Sequence, residues 1–369
     1  MSFNKVVGQA NAKRVLKSMV DSNRMPHALL LLGPKGSGGL PLALAFAQYV
    51  LCEAPTESDA CGVCNACGKT TKYIHPDLHF SYPVVKLKTT PPISTDFVKE
   101  WRAALAQNVY MNVNQWLEKL GAENKLGNIT AEECNKILQK LSLKIFEGKK
   151  KILLMWLPEY LGKEGNRLLK MIEEPPDDTL FILVAENQEA ILNTILSRCQ
   201  LVKVHPLTDE EVTEGLVEEG IPKEEAQAIA HLTDGDLNEA LQLSKQEEND
   251  NATRFLEWMR LCYKGNGVEL MAWVEKFAPI GREKQKLFIQ YGLHFMREIL
   301  FLKMTQNQDL RLRNNELDTA LKMNKVIALD KIEPIAQLFD ETAYFVERNA
   351  NPKILFLDAS IQMNQFLRK

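Results

Sequence analysis

Apolar residues follow one rhythm up to about residue 206 and another beyond it. In the first part, short and wholly apolar runs alternate with stretches of helical spacing. The runs at 28–32, 151–157 and 180–185 are too short for helices and lack polar alternation, so they predict strands buried on both faces of a parallel sheet, and 201–204 reads as a last short strand. Helical spacing covers 11–21, with Val15, Leu16, Met19 and Val20 on one face, and recurs at 41–52, 97 to about 120, 131–145, 162–173 and 191–196. Pro76, Pro83, Pro91 and Pro92 punctuate a stretch that reads as irregular. Strands alternating with helices predict an α/β domain.

After His205-Pro206 the strand pattern stops. Thr208-x-x-Glu211 is a capping box that opens a helix, and helices follow at 223–232 and 237–245. The polar run 246–251 reads as a linker. From there to Lys369 the pattern is helical, with breaks at 265–267, 279–281 and 349–352. The expected organisation is an α/β domain at 1–206, a small helical domain at 207–246 and a larger all-helical domain at 252–369. No internal repeat or low-complexity tract interrupts it.

A chain of 369 residues has room for this, and 45% hydrophobic residues can fill the cores. The formal charge of −3 gives no global basic signature, so any nucleic-acid contact needs a local patch. No apolar run approaches the ~20 residues of a membrane span. The first residues lack the charged-then-apolar layout of a signal peptide. The expected location is cytoplasmic, where the seven cysteines would not form a disulfide framework.

Four cysteines cluster as Cys52-x8-Cys61-x2-Cys64-x2-Cys67, with Gly62 and Gly68 on the turns. Four soft ligands with no open position describe structural zinc. An iron–sulfur cluster also uses C-x2-C-x2-C, but its bacterial run continues with a proline where Gly68 stands here. A redox pair explains only two of the thiols. Cys134, Cys199 and Cys262 are isolated and read as small buried residues, and His75 and His79 as turn or packing residues.

The first apolar run leads into Gly33-Pro34-Lys35-Gly36-Ser37-Gly38-Gly39-Leu40. A phosphate-binding loop reads G-x-x-x-x-G-K-[ST] between strand and helix. Gly33 and Gly38 have the right spacing, and Gly36 and Gly39 complete a glycine-rich turn. However, Gly39 stands in place of the lysine and Leu40 in place of the hydroxyl, so phosphate charge and Mg²⁺ lose their partners. The loop's backbone N–H groups still attract phosphate, which leaves weak nucleotide binding without turnover open.

Several further boxes share one order: Val7-Gly8-Gln9, Pro26-His27-Ala28, His75-Pro76-Asp77, Asn166-x-Leu168-Leu169-Lys170-x-Ile172-Glu173-Glu174-Pro175-Pro176, Thr194-Ile195-Leu196-Ser197-Arg198-Cys199 and Gly235-Asp236-Leu237-Asn238-Glu239-Ala240-Leu241. With the cysteine spacing, they resemble the clamp-loader branch of the AAA+ proteins over about residues 1–245. Residues 87–128 have no counterpart and look like an insertion. The resemblance implies an AAA+ α/β domain, a helical lid and a helical collar. It also marks two departures from an active motor, besides the loop. Trp156 and Leu157 replace the Asp-Glu pair that ends the motor's strand, with Glu159 two residues late, and Asn238 replaces the sensor arginine.

What the resemblance implies is a non-motor subunit of the DNA polymerase III clamp loader. It would join gamma/tau motors and a delta subunit to place the sliding clamp on primer–template DNA, with no membrane involved. Polymerase activity would belong to the holoenzyme, not to this chain. The Ser-Arg-Cys arginine of the family reaches a neighbour's ATP, which implies that role in trans for Arg198. A plainer reading places Arg198 at a helix C-terminus, against its dipole. Alternatives are an active gamma/tau-like ATPase and a free-standing zinc-containing nucleic-acid-binding protein. Trp101, Trp116 and Trp156 read as packing residues, Lys149-Lys150-Lys151 as a solvated edge, and Glu173-Glu174 as a helix end rather than a catalytic pair.

Overall fold

The computed structural model describes the chain apart from residues 23, 87–90, 123–124, 246–250, 307–309, 311, 313, 349 and 369, and apart from the side chains of 283, 314, 315 and 347. The expected linker falls almost wholly outside the described residues. Strands β1 (Ala28–Leu32), β2 (Leu78–Ser81), β3 (Lys151–Trp156), β4 (Thr179–Ala185) and β5 (Gln200–Lys203) form one parallel sheet in the order β2-β3-β4-β1-β5. In register, Leu30 lies opposite Leu183 of β4 and Leu201 of β5. Every residue of β3 and β4 is buried, the condition that produces unbroken apolar runs. In edge strand β5 only Val202 is buried.

Alternate strand residues serve opposite faces. Leu29, Leu31, Ile152, Leu154 and Ile182 face a core completed by helix Gly39–Leu51, whose residues 40–51 are all buried. Leu30, Leu153, Met155, Phe181 and Leu183 face a second core with helices Ala131–Ser142, Leu169–Glu173 and Asn193–Leu196. The result is a helix–sheet–helix sandwich.

Strand β2 is a correction to the irregular stretch expected between the prolines. It holds only four residues, and its His79 and Phe80 are half-buried, so no apolar run announces it. Asp77 sets it in place. Its carboxylate accepts the N–H groups of Phe146 (2.7 Å), Glu147 (2.9 Å) and Gly148 (2.7 Å), and its carbonyl accepts Ile152 N–H at 2.8 Å. Burial alone would raise this carboxyl, but the three donors outweigh it and hold it below the usual carboxylate range. The stabilisation is therefore present above the unfolded pKa and is lost as pH falls through the lower folded value. Asp77→Asn is expected to cost about 2 kcal/mol at pH 7, with the difference from wild type shrinking below roughly pH 4, read by urea unfolding across pH.

Residues 97–120 do not form the single helix expected. Helices Val98–Gln107 and Val113–Lys119 flank a break at 108–112. Asn112 caps the second helix, in a box with Gln115. Trp101 and Trp116 enter the sheet's first core. Trp101 stacks on Tyr82 (centroids 4.1 Å apart) and tilts against Trp156 (5.3 Å), and Trp116 Nε1–H donates to the Pro83 carbonyl at 2.7 Å. Lys151 is also a correction. It is buried rather than a solvated edge, and its ammonium donates to the carbonyls of Leu141 (2.7 Å) and Leu143.

Two compact units divide the chain: Met1–Gly220 with Thr233–Gln242, and Ile221–Leu232 with Leu243–Lys369. The second is helical, and its core gathers Phe255, Trp258, Phe288, Phe295, Phe339 and Met363. Trp258 Nε1–H donates to Ser360 Oγ at 2.8 Å. Among the described residues no helix is long and apolar enough to cross a membrane.

Candidate functional site

The chain leaves β1 toward β2 on one side of the sheet and leaves the neighbouring β4 toward β5 on the other. The crevice beyond the C-terminal end of β1 is the switch point where open α/β sheets bind ligands. The glycine loop occupies that crevice. Gly36 (φ 69°) and Gly38 (φ 96°) adopt the left-handed turn, and helix Gly39–Leu51 starts immediately after. A Cβ at Gly36 would meet Asp236 Oδ1 at 1.8 Å, and one at Gly38 would lie 3.2 Å from the Tyr110 ring.

The crevice is already filled. A cavity of about 30 Å³ remains against the loop, lined among others by Leu40, Tyr110, Trp156 and Glu186. That is room for one or two waters. Leu40 is buried in the first core. The Tyr110 hydroxyl accepts Val7 N–H at 2.9 Å, and burial pushes the phenol up to about 12. Gln9 of the Val-Gly-Gln box donates to the carbonyls of Ser37 (2.9 Å) and His205 (2.6 Å). Leu237 N–H donates to Gly36 O at 3.2 Å.

The electrostatics are acidic. Glu159 Oε2 is buried without a hydrogen-bond partner. Its carboxylate accepts the N–H groups of Glu186 (2.6 Å) and Asn187 (2.8 Å). Glu186 keeps solvent contact, yet desolvation against the cleft wall, with the Glu159 and Asp236 carboxylates, pushes it up to about 7. Trp156 and Leu157 are buried in the core and offer no oxygen ligand. Asn238 is 1% exposed, and its Oδ1 accepts Asn108 Nδ2–H at 2.7 Å.

Arg198 follows helix Asn193–Leu196. Its guanidinium donates to Glu173 Oε1 through Nε (2.6 Å) and Nη2, and through Nη1 to Thr194 O (2.7 Å) and Ser197 Oγ (3.2 Å). The helix-end contact and solvent access coexist, since the side chain is 31% exposed. Glu173 was not legible as its partner, because the Glu-Glu-Pro-Pro segment signals only a helix end.

Cys52 caps the far end of helix Gly39–Leu51, and Cys61, Cys64 and Cys67 fold back onto it. The four sulfurs lie within 4.8 Å of one another, with Cys61 and Cys67 3.9 Å apart. Tetrahedral Zn–S bonds of ~2.3 Å place sulfurs ~3.8 Å apart. Backbone N–H groups of Cys61, Cys64 and Cys67 point at the sulfurs of Cys52 (3.3 Å), Cys61 (3.4 Å) and Cys64 (3.4 Å). Such donors hold Cys61 down at about 6, whereas burial pushes Cys67 up to about 12. All described cysteines are free thiols. This donor set could hold zinc, which would act as a structural cross-link. Cys134 and Cys262 are buried as expected, but Cys199 is half-buried.

A parallel sheet with a glycine loop at its switch point, joined to a tetra-cysteine module, defines an α/β protein of the nucleotide-loop class. Residues 8–208 match the family described as DNA polymerase III, delta subunit, and the chain belongs to that family. The DNA polymerase III subunit delta' of Bacillus subtilis is 23% identical over 305 residues, covering 82% of this chain and 80% of that protein. The subunit delta' of Pseudomonas aeruginosa is 28% identical over 207 residues, covering 56% and 51%. The subunit tau of Bacillus subtilis is 25% identical over 256 residues, covering 66% and 37%. Together the matches support a bacterial delta-prime clamp-loader subunit.

Proposed function

We propose that this chain is the non-motor member of a DNA polymerase III clamp loader. It neither binds nor hydrolyses ATP itself and lends Arg198 to a neighbouring motor's ATP. The observation that carries the reading is the crevice itself, where Gly39 and Leu40 stand in place of lysine and hydroxyl, Trp156 stands in place of a metal ligand, and Tyr110 lines the small space that remains. Asn238 in place of the sensor arginine supports it further. Residues 207–246 would serve as a lid and 252–369 as a collar that holds gamma/tau and delta partners. The sliding clamp and primer–template DNA would be met through the assembly. Zinc on Cys52, Cys61, Cys64 and Cys67 would be structural.

The test pairs isolated chain with reconstituted loader. The chain alone, free of motor subunits, is expected to release no phosphate and to show no thermal shift in millimolar Mg-ATP. It is also expected to co-elute with gamma/tau and delta and to restore clamp loading. Turnover by the isolated chain, or a ligand-induced shift of the size mass action requires, would overturn the reading.

A further inference from the structure

We infer that residues 108–111 are a built-in occupant of the crevice at the glycine loop, joining by neutral side-chain bonds the Val-Gly-Gln box, the loop and residues 233–242. The inference rests on the reading that the loop takes no ATP. The first segment is the Val-Gly-Gln box, tied by Val7 N–H to the Tyr110 hydroxyl at 2.9 Å. The second is the loop, where the Tyr110 ring sits against Gly38 and, with Val109 and Met111, walls the remaining cavity. The third is residues 233–242, tied by Asn108 Nδ2–H to Asn238 Oδ1 at 2.7 Å.

The occupant is stiff. Asn108 Oδ1 accepts Tyr110 N–H at 2.9 Å, which shapes the break from within. Helices Val98–Gln107 and Val113–Lys119 clamp it on either side, through Trp101 and Trp116, both wholly buried. Fixing so short a segment costs little further entropy, because its ends are already ordered. The joint carries no charge. The Asn108–Asn238 pair is amide to amide, and the raised Tyr110 phenol stays neutral throughout the physiological range. A triphosphate joint comes and goes with ligand, Mg²⁺ and hydrolysis; this one is permanent. Residues 233–242 are thereby held to the loop in one arrangement, whatever nucleotide is present.

Hydrogen exchange on the full chain tests this. The reporters are the amides of Val7 and Leu237, the latter bonded to Gly36 O. Tyr110→Ala and Asn108→Ala are expected to speed Leu237 exchange roughly tenfold, while helices 98–107 and 113–119 stay protected. Tyr110→Phe removes only the hydroxyl, and is expected to speed Val7 and leave Leu237 slow. Unchanged Leu237 exchange in Asn108→Ala, or unchanged Val7 exchange in Tyr110→Phe, overturns the inference even where Tyr110→Ala does not fold. Millimolar Mg-ATP is the separate control. If it slows exchange of the wild-type loop, the ATP-free reading fails; if it does not, that reading stands whichever way the variants behave.

Discussion

Replacing Arg198 by alanine is expected to slow ATP cleavage at the neighbouring motor site of the assembled loader by about 10³-fold or more, because an arginine finger supplies that much to phosphoryl transfer. A guanidinium at the γ-phosphate neutralises charge that develops only in the transition state, so the loss falls on the chemical step and not on ATP affinity. Motor sites elsewhere in the assembly that do not draw on Arg198 would be unaffected. Steady-state turnover then falls less than single-turnover cleavage at the affected site, and the single-turnover rate is the measurement to make. Assembly and stability should survive the substitution. Arg198 is partly exposed, and the ion pair it makes with Glu173 is of the surface kind worth ~0–1 kcal/mol. The same weakness lets the side chain leave Glu173 for a partner's phosphate. Arg198→Lys should rescue little, since an ammonium lacks the planar fork. An unchanged single-turnover rate in Arg198→Ala, with the ring intact, would reduce the chain to a scaffold.

Much of this was readable from residue patterns, and the failures have physical causes. Strands β1, β3 and β4 show as apolar runs because both of their faces are covered. Edge strand β2 does not show, being short and half-polar, and it depends on Asp77 bonding a segment about seventy residues away. The cysteine cluster is legible because its ligands are close in sequence. The filling of the crevice is not, because Tyr110 and Val7 are 103 residues apart and Asn108 and Asn238 are 130 apart. One local signal was available. Asn112-x-x-Gln115 is a capping box in the middle of what otherwise reads as a continuous helix, and it marks the break that carries Tyr110. Asn238 shows the limit of reading by substitution. Its sequence position announces a missing arginine, but only the fold supplies its partner.

Removing the metal from the cysteine module should destabilise the first unit on the order of 5 kcal/mol, below the ~10–16 kcal/mol of isolated zinc-finger peptides. The smaller figure follows from the packing. Cys52 and Cys67 are buried in the first core, so apolar contacts already bring two of the sulfurs together. What the metal adds is neutralisation. Four thiolates within 4.8 Å of one another would repel without a cation, so zinc would let all four ionise together. Loosening should spread to the N-terminus, where the Asp59 carboxylate accepts the N–H groups of Phe3 (3.0 Å) and Asn4 (2.9 Å) from inside the module. Purified chain is expected to carry about one zinc, and a chelator or Cys61→Ser should lower Tm by roughly 10 °C or more. Iron in place of zinc, or a Tm indifferent to chelation, would sink the structural-zinc reading. The consequence extends to the crevice through a single element. Helix Gly39–Leu51 has the glycine loop at one end and Cys52 at the other, so zinc at its C-terminus would pin the same rod that Tyr110 meets at its N-terminus. Metal loss should therefore also raise hydrogen exchange at the first turn of that helix, at the opposite end of the rod from Cys52, whereas Tyr110→Ala should leave zinc content unchanged.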